Sequence, residues 1–277
     1  KNNPLIKIQK LKYNAVAFNN IKLSHFIPAL DFAINKATKV IKTIKDNSNS
    51  PNFNNTTLAL ENSTELMNTI STIYFNLMSA ESNNEFKELA QKISPKLSSF
   101  NNDILLDKVL FDKIKIVYEN RNNNQYNNEQ KRLIEEQFLD FTLNGSLLNS
   151  TDKSKIKKID EKLSILSPKF SQNTLNAINE FTFYTKDKKI LDGIPDITLE
   201  QAADLALNKN MDKGWLFTLQ MPSYLPLMKY ANNRNIRKKM YKARSTISYG
   251  GKFDNQNIVI QSVKLRSKKA KLLGFAN

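Results

Sequence analysis

The 277 residues are 40% hydrophobic and 25% charged with only 6 Gly and 8 Pro, enough for an ordinary core and too few turn residues for a loop-rich β-sandwich. The absence of cysteine excludes disulfides, thiolate zinc sites and a cysteine nucleophile. A net charge of +16, from 42 basic and 26 acidic residues, admits acidic partners, while no apolar run approaches the roughly 20 residues that cross a bilayer.

The chain begins at Lys1 rather than Met, which leaves room for a removed leader. Ser24 is the expected N-cap of a first helix reaching about Lys45, with Phe26, Leu30, Ala33, Ala37, Val40, Ile41 and Ile44 on one face. Pro28 falls in its first turn, where a missing N–H costs little. After the polar stretch Asp46 to Asn55, Thr56 or Thr57 is expected to open a second helix striped by Leu60, Leu66, Ile70, Ile73 and Leu77. Asn83 or Asn84 caps a third. Pro95 opens or kinks the next, which runs through Ile104, Val109 and Ile116. Beyond the Asn-rich loop at Asn122 to Asn124, a helix from about Glu129 ends near Gly145, and its Lys131–Glu135 and Arg132–Glu136 spacings read as a solvent face. Ile156, Ile159, Leu163, Leu166, Phe170 and Leu175 mark a long helix kinked near Pro168.

There the period changes. Phe181, Phe183 and Ile190 around a Lys/Asp turn suggest a short hairpin, and Trp215 to Gln220 is a second strand candidate between Gly214 and Pro222. Helices return over Thr198 to Leu207, Pro226 to Lys242 and Asp254 to Leu273. The fold class is therefore mainly α, a bundle of long helices with a small β hairpin element. A division into a helical lobe, 1–180, and a part of β hairpin plus helices, 181–277, is expected, with a single continuous domain as the alternative. The last helix carries Ile258, Ile260, Val263, Leu265, Leu272 and Leu273 around much of its circumference, which predicts an exposed apolar surface there.

From Leu205 onward the only acids are Asp212 and Asp254, against Arg237, Lys238, Lys239, Lys242, Arg244, Lys264, Arg266, Lys268, Lys269 and Lys271. Charge of this kind is sequence-independent electrostatics, and no nucleic-acid motif accompanies it. A solvated or interdomain surface is the stronger reading.

Chemistry-bearing groups are sparse. His25 is the single histidine, so HExxH, which needs two histidines four apart, cannot form, and no GxSxG elbow serves a Ser/His/Asp triad. Glu135 and Glu136 are adjacent and point about 100° apart on a helix, a poor acid/base pair. Gly250-Gly251 before Asp254-Asn255 reads as a turn into a helix N-cap, a place where an anion could bind. Catalytic, cofactor-binding and metal-ligating residues are all expected to be none within this chain.

Several segments, in order, resemble the thimet oligopeptidase and peptidyl-dipeptidase (dipeptidyl carboxypeptidase) family of zinc metallopeptidases. They are NPL from Asn3, HFIPAL from His25, NTTLALENS from Asn55 and FNLMSAESNNEF from Phe75, then SPKLSSFNNDI from Ser94 and RLIEEQFLDFTLNG from Arg132. The densest follow: SPKFSQNTL from Ser167, GWLFTLQMPSYLP from Gly214, NRNIRKKMYKA from Asn233, GGKFDN from Gly250 and LRSKKAKLLGF from Leu265. Thr57 stands where the family usually has Ile, and Lys252-Phe253 depart from its Gly-Asp-Asn turn.

The resemblance covers essentially the whole chain and implies an N-terminal, neurolysin-like helical portion that walls a peptide channel. It places the HExxH helix, a downstream Glu ligand and the zinc in a C-terminal catalytic region beyond Asn277, so the fragment itself is expected to be inactive. In such a channel Trp215, Tyr224 and Tyr241 would be candidate lining residues, although as aromatics they read first as core. Arg234 and Arg237 are expected to pair with helix ends or acids. Implied partners are short peptides and the catalytic region, with no specific nucleic acid and no membrane span. Nothing separates bacterial cytoplasm from periplasm or cell envelope. The alternative is a non-enzymatic helical module that binds peptides or an acidic partner.

Overall fold

A computed structural model describes residues 3–7, 11–80, 83–123 and 125–277, apart from the side chain at position 14. Glu81 and Ser82 of the FNLMSAESNNEF stretch and Asn124 of the Asn-rich loop lie outside them. Among the described residues the chain forms ten α-helices and one two-stranded antiparallel sheet, the mainly helical class that the periodicity predicts. It divides into two compact units, Lys1–Pro168 with Lys264–Asn277, and Lys169–Val263.

The first unit is built from α1 (Phe26–Asp46), α2 (Ala59–Ala80), α3 (Asn84–Leu105), α4 (Lys108–Glu119), α5 (Asn128–Leu143) and the first part of α6 (Ser150–Glu180). On α1, Phe26, Leu30, Ala33, Ala37, Ile41 and Ile44 are buried, as their spacing requires. They join Ile70 and Tyr74 of α2, Ile93 and Phe100 of α3 and Leu110 and Ile114 of α4 in one cluster. Each fully buried side chain of this size contributes about 2 kcal/mol of transfer free energy.

Several helix ends differ from expectation, each for a polar reason. Ser24 is not a cap: it lies in a 3-10 turn, Leu23–His25, and His25 occupies the position before α1. Helical backbone ahead of α2 begins at Phe53, in a one-turn π-helical segment Phe53–Leu58, not at Thr56 or Thr57. Its cap is Asn52, whose side chain accepts the N–H groups of Asn54 and Asn55 at 3.0 Å each. The helix expected to run from Pro95 through Ile116 is two helices. Leu106 leaves the helical region, and the Asp107 carboxylate accepts the Leu110 N–H at 2.9 Å to start α4 afresh. Pro95 lies inside α3, and Asn83 caps that helix as expected. Beyond α5, Gly145 adopts φ +100°, and the Gly145 and Ser146 N–H groups return to the carbonyls of Thr142 and Phe141.

The second unit holds the rest of α6, then β1 (Thr182–Thr185), α7 (Asp196–Asn208), β2 (Trp215–Thr218), α8 (Met221–Tyr230) and α9 (Arg234–Ser245). It also holds the first part of α10 (Gln256–Leu272). The small β element forms, but its strands are far apart in sequence: β1 pairs with β2, Phe183 opposite Phe217 and Thr185 opposite Trp215. The Lys/Asp segment after β1 is no hairpin turn. Asp187 instead caps a 3-10 turn, Lys188–Leu191, that contains Ile190. Gly214 enters β2 where an added Cβ would meet the Thr185 carbonyl and the Tyr184 ring at 2.7 Å. The helix expected over Pro226 to Lys242 is split into α8 and α9 because the Asn233 side chain accepts the Asn235 and Ile236 N–H groups and restarts it. Phe217, Leu219, Leu227 and Met240 are at most 1% exposed and form this unit's core with Phe183, Leu191 and Ile236. On α6 the buried stripe holds at Ile156 and Ile159 but fades past Pro168, where Phe170 and Leu175 are 42% and 38% exposed.

Candidate functional site

The family-like segments turn out to be structural fastenings. In NTTLALENS, the Asn55 side chain accepts the Asn52 N–H at 2.8 Å and donates to the Ser50 carbonyl at 3.0 Å. Thr57 is fully buried, and its carbonyl accepts from Gln137 Nε2, in RLIEEQFLDFTLNG, at 3.0 Å. Phe75 and Phe86, from FNLMSAESNNEF, pack on Tyr74 with ring centroids 5.1 and 6.0 Å away. The Tyr74 hydroxyl donates to the Phe86 carbonyl at 2.5 Å, and burial pushes the phenol pKa upward. SPKFSQNTL and GGKFDN meet directly: Asn173 Nδ2 donates to Asn255 Oδ1 at 2.9 Å, and Asn255 Nδ2 donates to the Phe170 carbonyl at 3.0 Å. Both asparagines are buried, so the chain depends on pairing them.

The candidate chemical groups are likewise engaged in structure. His25 Nδ1 accepts the Lys22 N–H at 3.0 Å, a helix-entry role. Glu135 pairs with Arg121 Nε at 3.2 Å, and Glu136 with Arg132. Gly250 and Gly251 adopt φ of +81° and +73°, the turn expected there. The anion it receives is internal: Asp254 accepts the Gly250 N–H at 2.9 Å and the Gln256 N–H at 3.2 Å. Those bonds, the Gly250 one foremost, hold the Asp254 carboxyl below the usual carboxylate range.

Of the candidate lining residues, Trp215 and Tyr224 are half-buried against the second unit's core, whereas Tyr241 on α9 is 60% exposed. Arg237 donates to the carbonyls of Ala231 and Asn232 at the end of α8, the helix-end partnership expected of it. Arg244 donates to the Leu219 carbonyl at 3.1 Å, Lys239 lies 4.5 Å from the Phe183 ring centroid, and Lys269 pairs with Asp160 at 2.7 Å. Those four cations are engaged within the fold, whereas Lys238, Lys242, Lys264, Arg266, Lys268 and Lys271 are exposed. Asp212, one of the two acids from Leu205 onward, is taken by Lys186 at 2.6 Å.

Among the described residues no three His, Cys, Asp or Glu side chains gather where they could hold a metal ion. With one histidine committed to a turn and no cysteine, these residues do not fit a catalytic zinc, which takes three protein ligands.

The feature that sequence patterning missed lies in the first unit. Lys155, Lys158, Ile159 and Lys162 on α6 and Leu265, Lys268, Lys271 and Leu272 on α10 line a groove of about 530 Å³. α10 has no buried residue, and Ile260 and Val263 are 50% and 60% exposed, as its all-round apolar pattern predicts.

Comparison with known proteins agrees with this architecture. Residues 30–153 match the family model described as Neurolysin/Thimet oligopeptidase, N-terminal domain. The chain is 30% identical over 276 residues to a dipeptidyl carboxypeptidase of Salmonella typhimurium, covering 99% of this chain and 41% of that protein. It is 31% identical to the Escherichia coli dipeptidyl carboxypeptidase, again over 99% of this chain and 40% of the relative. An oligopeptidase A of Haemophilus influenzae is 31% identical over the same shares, 99% and 40%. The chain thus spans about two fifths of the length of the curated relatives it matches.

Proposed function

We propose, from the premise that this chain belongs to the neurolysin/thimet oligopeptidase family through its N-terminal domain, that it is the channel-wall portion of a peptidase that hydrolyses short peptides. The observation that carries the reading is collinear similarity to peptidases over 99% of the chain, combined with motifs spent on caps, buried asparagine pairs and helix ends. A portion that shapes a channel needs fixed helices, and these fastenings supply them. Conserving geometry, not chemistry, is what such a wall requires.

In this reading the chain performs no catalytic step. Zinc and the groups that activate water would belong to a catalytic region carried by the same polypeptide, and release of C-terminal dipeptides is the activity favoured by the dipeptidyl carboxypeptidase relatives. The wall's contribution would be steric: admitting extended or short peptides and excluding folded chains. Exposed Tyr241 is the candidate here for contact with a peptide, since its ring offers apolar area at low entropic cost.

The test is the coding sequence that follows Asn277. An HExxH helix and a downstream Glu are the expected result. A stop codon directly after Asn277 would overturn the peptidase reading in favour of a non-enzymatic binding module.

A further inference from the structure

We propose that Thr57 and Gln137 form an internal hydration site, in which a buried water bridges the π-helical turn before α2 to α5. Both residues lie inside the first unit, at 0% and 8% exposure, so the site is part of its interior and not of its surface. On α5 the buried positions are Ile134, Gln137 and Phe141, spaced i, i+3 and i+7. An amide therefore stands where the stripe calls for a hydrocarbon. The turn facing it buries Phe53, Thr56 and Thr57, and α2 continues the buried face with Leu60.

Only half of this amide is satisfied. Gln137 Nε2 donates to the Thr57 carbonyl at 3.0 Å. Gln137 Oε1 and Thr57 Oγ1 are shielded from solvent and bond to no protein group among the described residues, each other included. A helical threonine commonly returns its hydroxyl to the carbonyl three or four residues back, as Thr43 does to Lys39 at 3.2 Å. The Thr57 hydroxyl makes no such bond, and it sits in Phe53–Leu58, where the i→i+5 pattern displaces those carbonyls. Oε1 shares a carbon with Nε2, and Oγ1 belongs to the residue whose carbonyl Nε2 reaches. The two orphaned atoms thus gather at one contact, where leaving both unpaired is costly.

Their chemistry selects water. Oε1 can only accept, while the hydroxyl can donate as well as accept. A water that gives a hydrogen to the amide oxygen and takes one from the hydroxyl pairs both, with bonds of about 2.8 Å on each side. Neither atom is charged, and the neighbouring cluster of Phe53, Val117 and Ile134 is apolar, so the site offers an ion no compensation. A side chain inserted into a helical ladder opens it, and Gln137 against Thr57 makes such an opening. This inference concerns the interior of the fold and stands apart from the peptidase reading.

The test turns on a sign. Thr57→Val replaces the hydroxyl by a methyl group at nearly constant shape. With water bridging the pair, the variant takes away one of its partners, and the urea midpoint of the 277-residue chain should fall. With both atoms dry and unpaired, the variant would delete a buried unpaired hydroxyl, and the midpoint would rise. Oxygen-17 magnetic relaxation dispersion counts long-lived internal waters directly. The Thr57→Val/Gln137→Leu double variant should hold one fewer per chain than wild type, with helical circular dichroism unchanged. In the same series Thr57→Val should cost less in the Gln137→Leu background than in wild type, because the bridge is already broken there. Thr57→Val alone carries the test should the double variant not fold. A raised midpoint for Thr57→Val, an unchanged count of long-lived waters, or additive effects of the two substitutions would overturn the proposal.

Discussion

The two units hold together by different means. In Lys1–Pro168 with Lys264–Asn277, long helices turn continuous apolar stripes inward, and Phe26, Leu30, Ile70, Tyr74, Ile93, Leu110 and Ile114 are at most 1% exposed. In Lys169–Val263 the elements are shorter and the apolar core smaller, and side chains from asparagine and arginine hold element ends to one another. Asn173 with Asn255, Arg237 with the end of α8 and Asn232 with Asp192 are such ties. The lesson is that the first unit is specified chiefly by periodicity, with polar groups such as Asn52, Asp107 and Gln137 fixing its helix ends, while the second leans more on polar groups that are costly to leave unpaired.

The largest effects should separate the units most sharply. Phe26→Ala removes a fully buried ring from the first unit and should cost about 4 kcal/mol in urea unfolding. Asn255→Ala in the second removes three bonds at once, to Asn173 Nδ2, the Phe170 carbonyl and the Thr174 hydroxyl, and should cost about 2 kcal/mol. Its loss of hydrogen-exchange protection should be concentrated in Lys169–Val263. Tyr74→Phe, which deletes only a hydroxyl from the first unit, should cost about 1 kcal/mol. A Tyr74→Phe loss larger than that of Asn255→Ala would break the comparison.

How much of this was legible depended on distance along the chain. The α1 and α2 stripes could be read because their neighbours lie three and four residues apart, and the burial of Phe26, Leu30 and Ile70 follows. Ends were harder. Asn52, inside an Asn/Ser/Pro stretch that reads as loop, caps a helical run one turn before Thr56, and Asp107 divides a stripe that looked unbroken. Pairing of β1 with β2 is non-local, and four-residue strands carry too little pattern to name their partner. The same reason hid the lysine groove. The basic row on α10 is plain in sequence, but its counterpart at Lys155, Lys158 and Lys162 lies about a hundred residues away and meets it only in the fold.

The smallest effects probe the polar turn into α10. Gly250→Ala meets no atom within 4 Å, so only the φ of +81° opposes it, at about 1 kcal/mol. Asp254 should give the second unit a pH dependence. Its carboxyl is held below the usual carboxylate range by the Gly250 N–H first and the Gln256 N–H next, so the folded state favours the ionised form. That contribution is present above the ordinary carboxylate pKa and is lost as pH falls through the lowered one. Wild type and Asp254→Asn should therefore differ in thermal midpoint near neutrality and converge in acid. A gap unchanged across that range would remove the Asp254 turn from the account.

The central proposal is that this chain would wall a peptidase channel without supplying the catalytic chemistry. Metal analysis of the purified 277-residue chain, run beside a quenched-fluorescent peptide assay, tests it most directly. The account predicts no stoichiometric zinc and no turnover, because His25 is the single histidine and no cysteine is present. One tightly bound zinc per chain, with peptide cleavage abolished by a chelator, would contradict it.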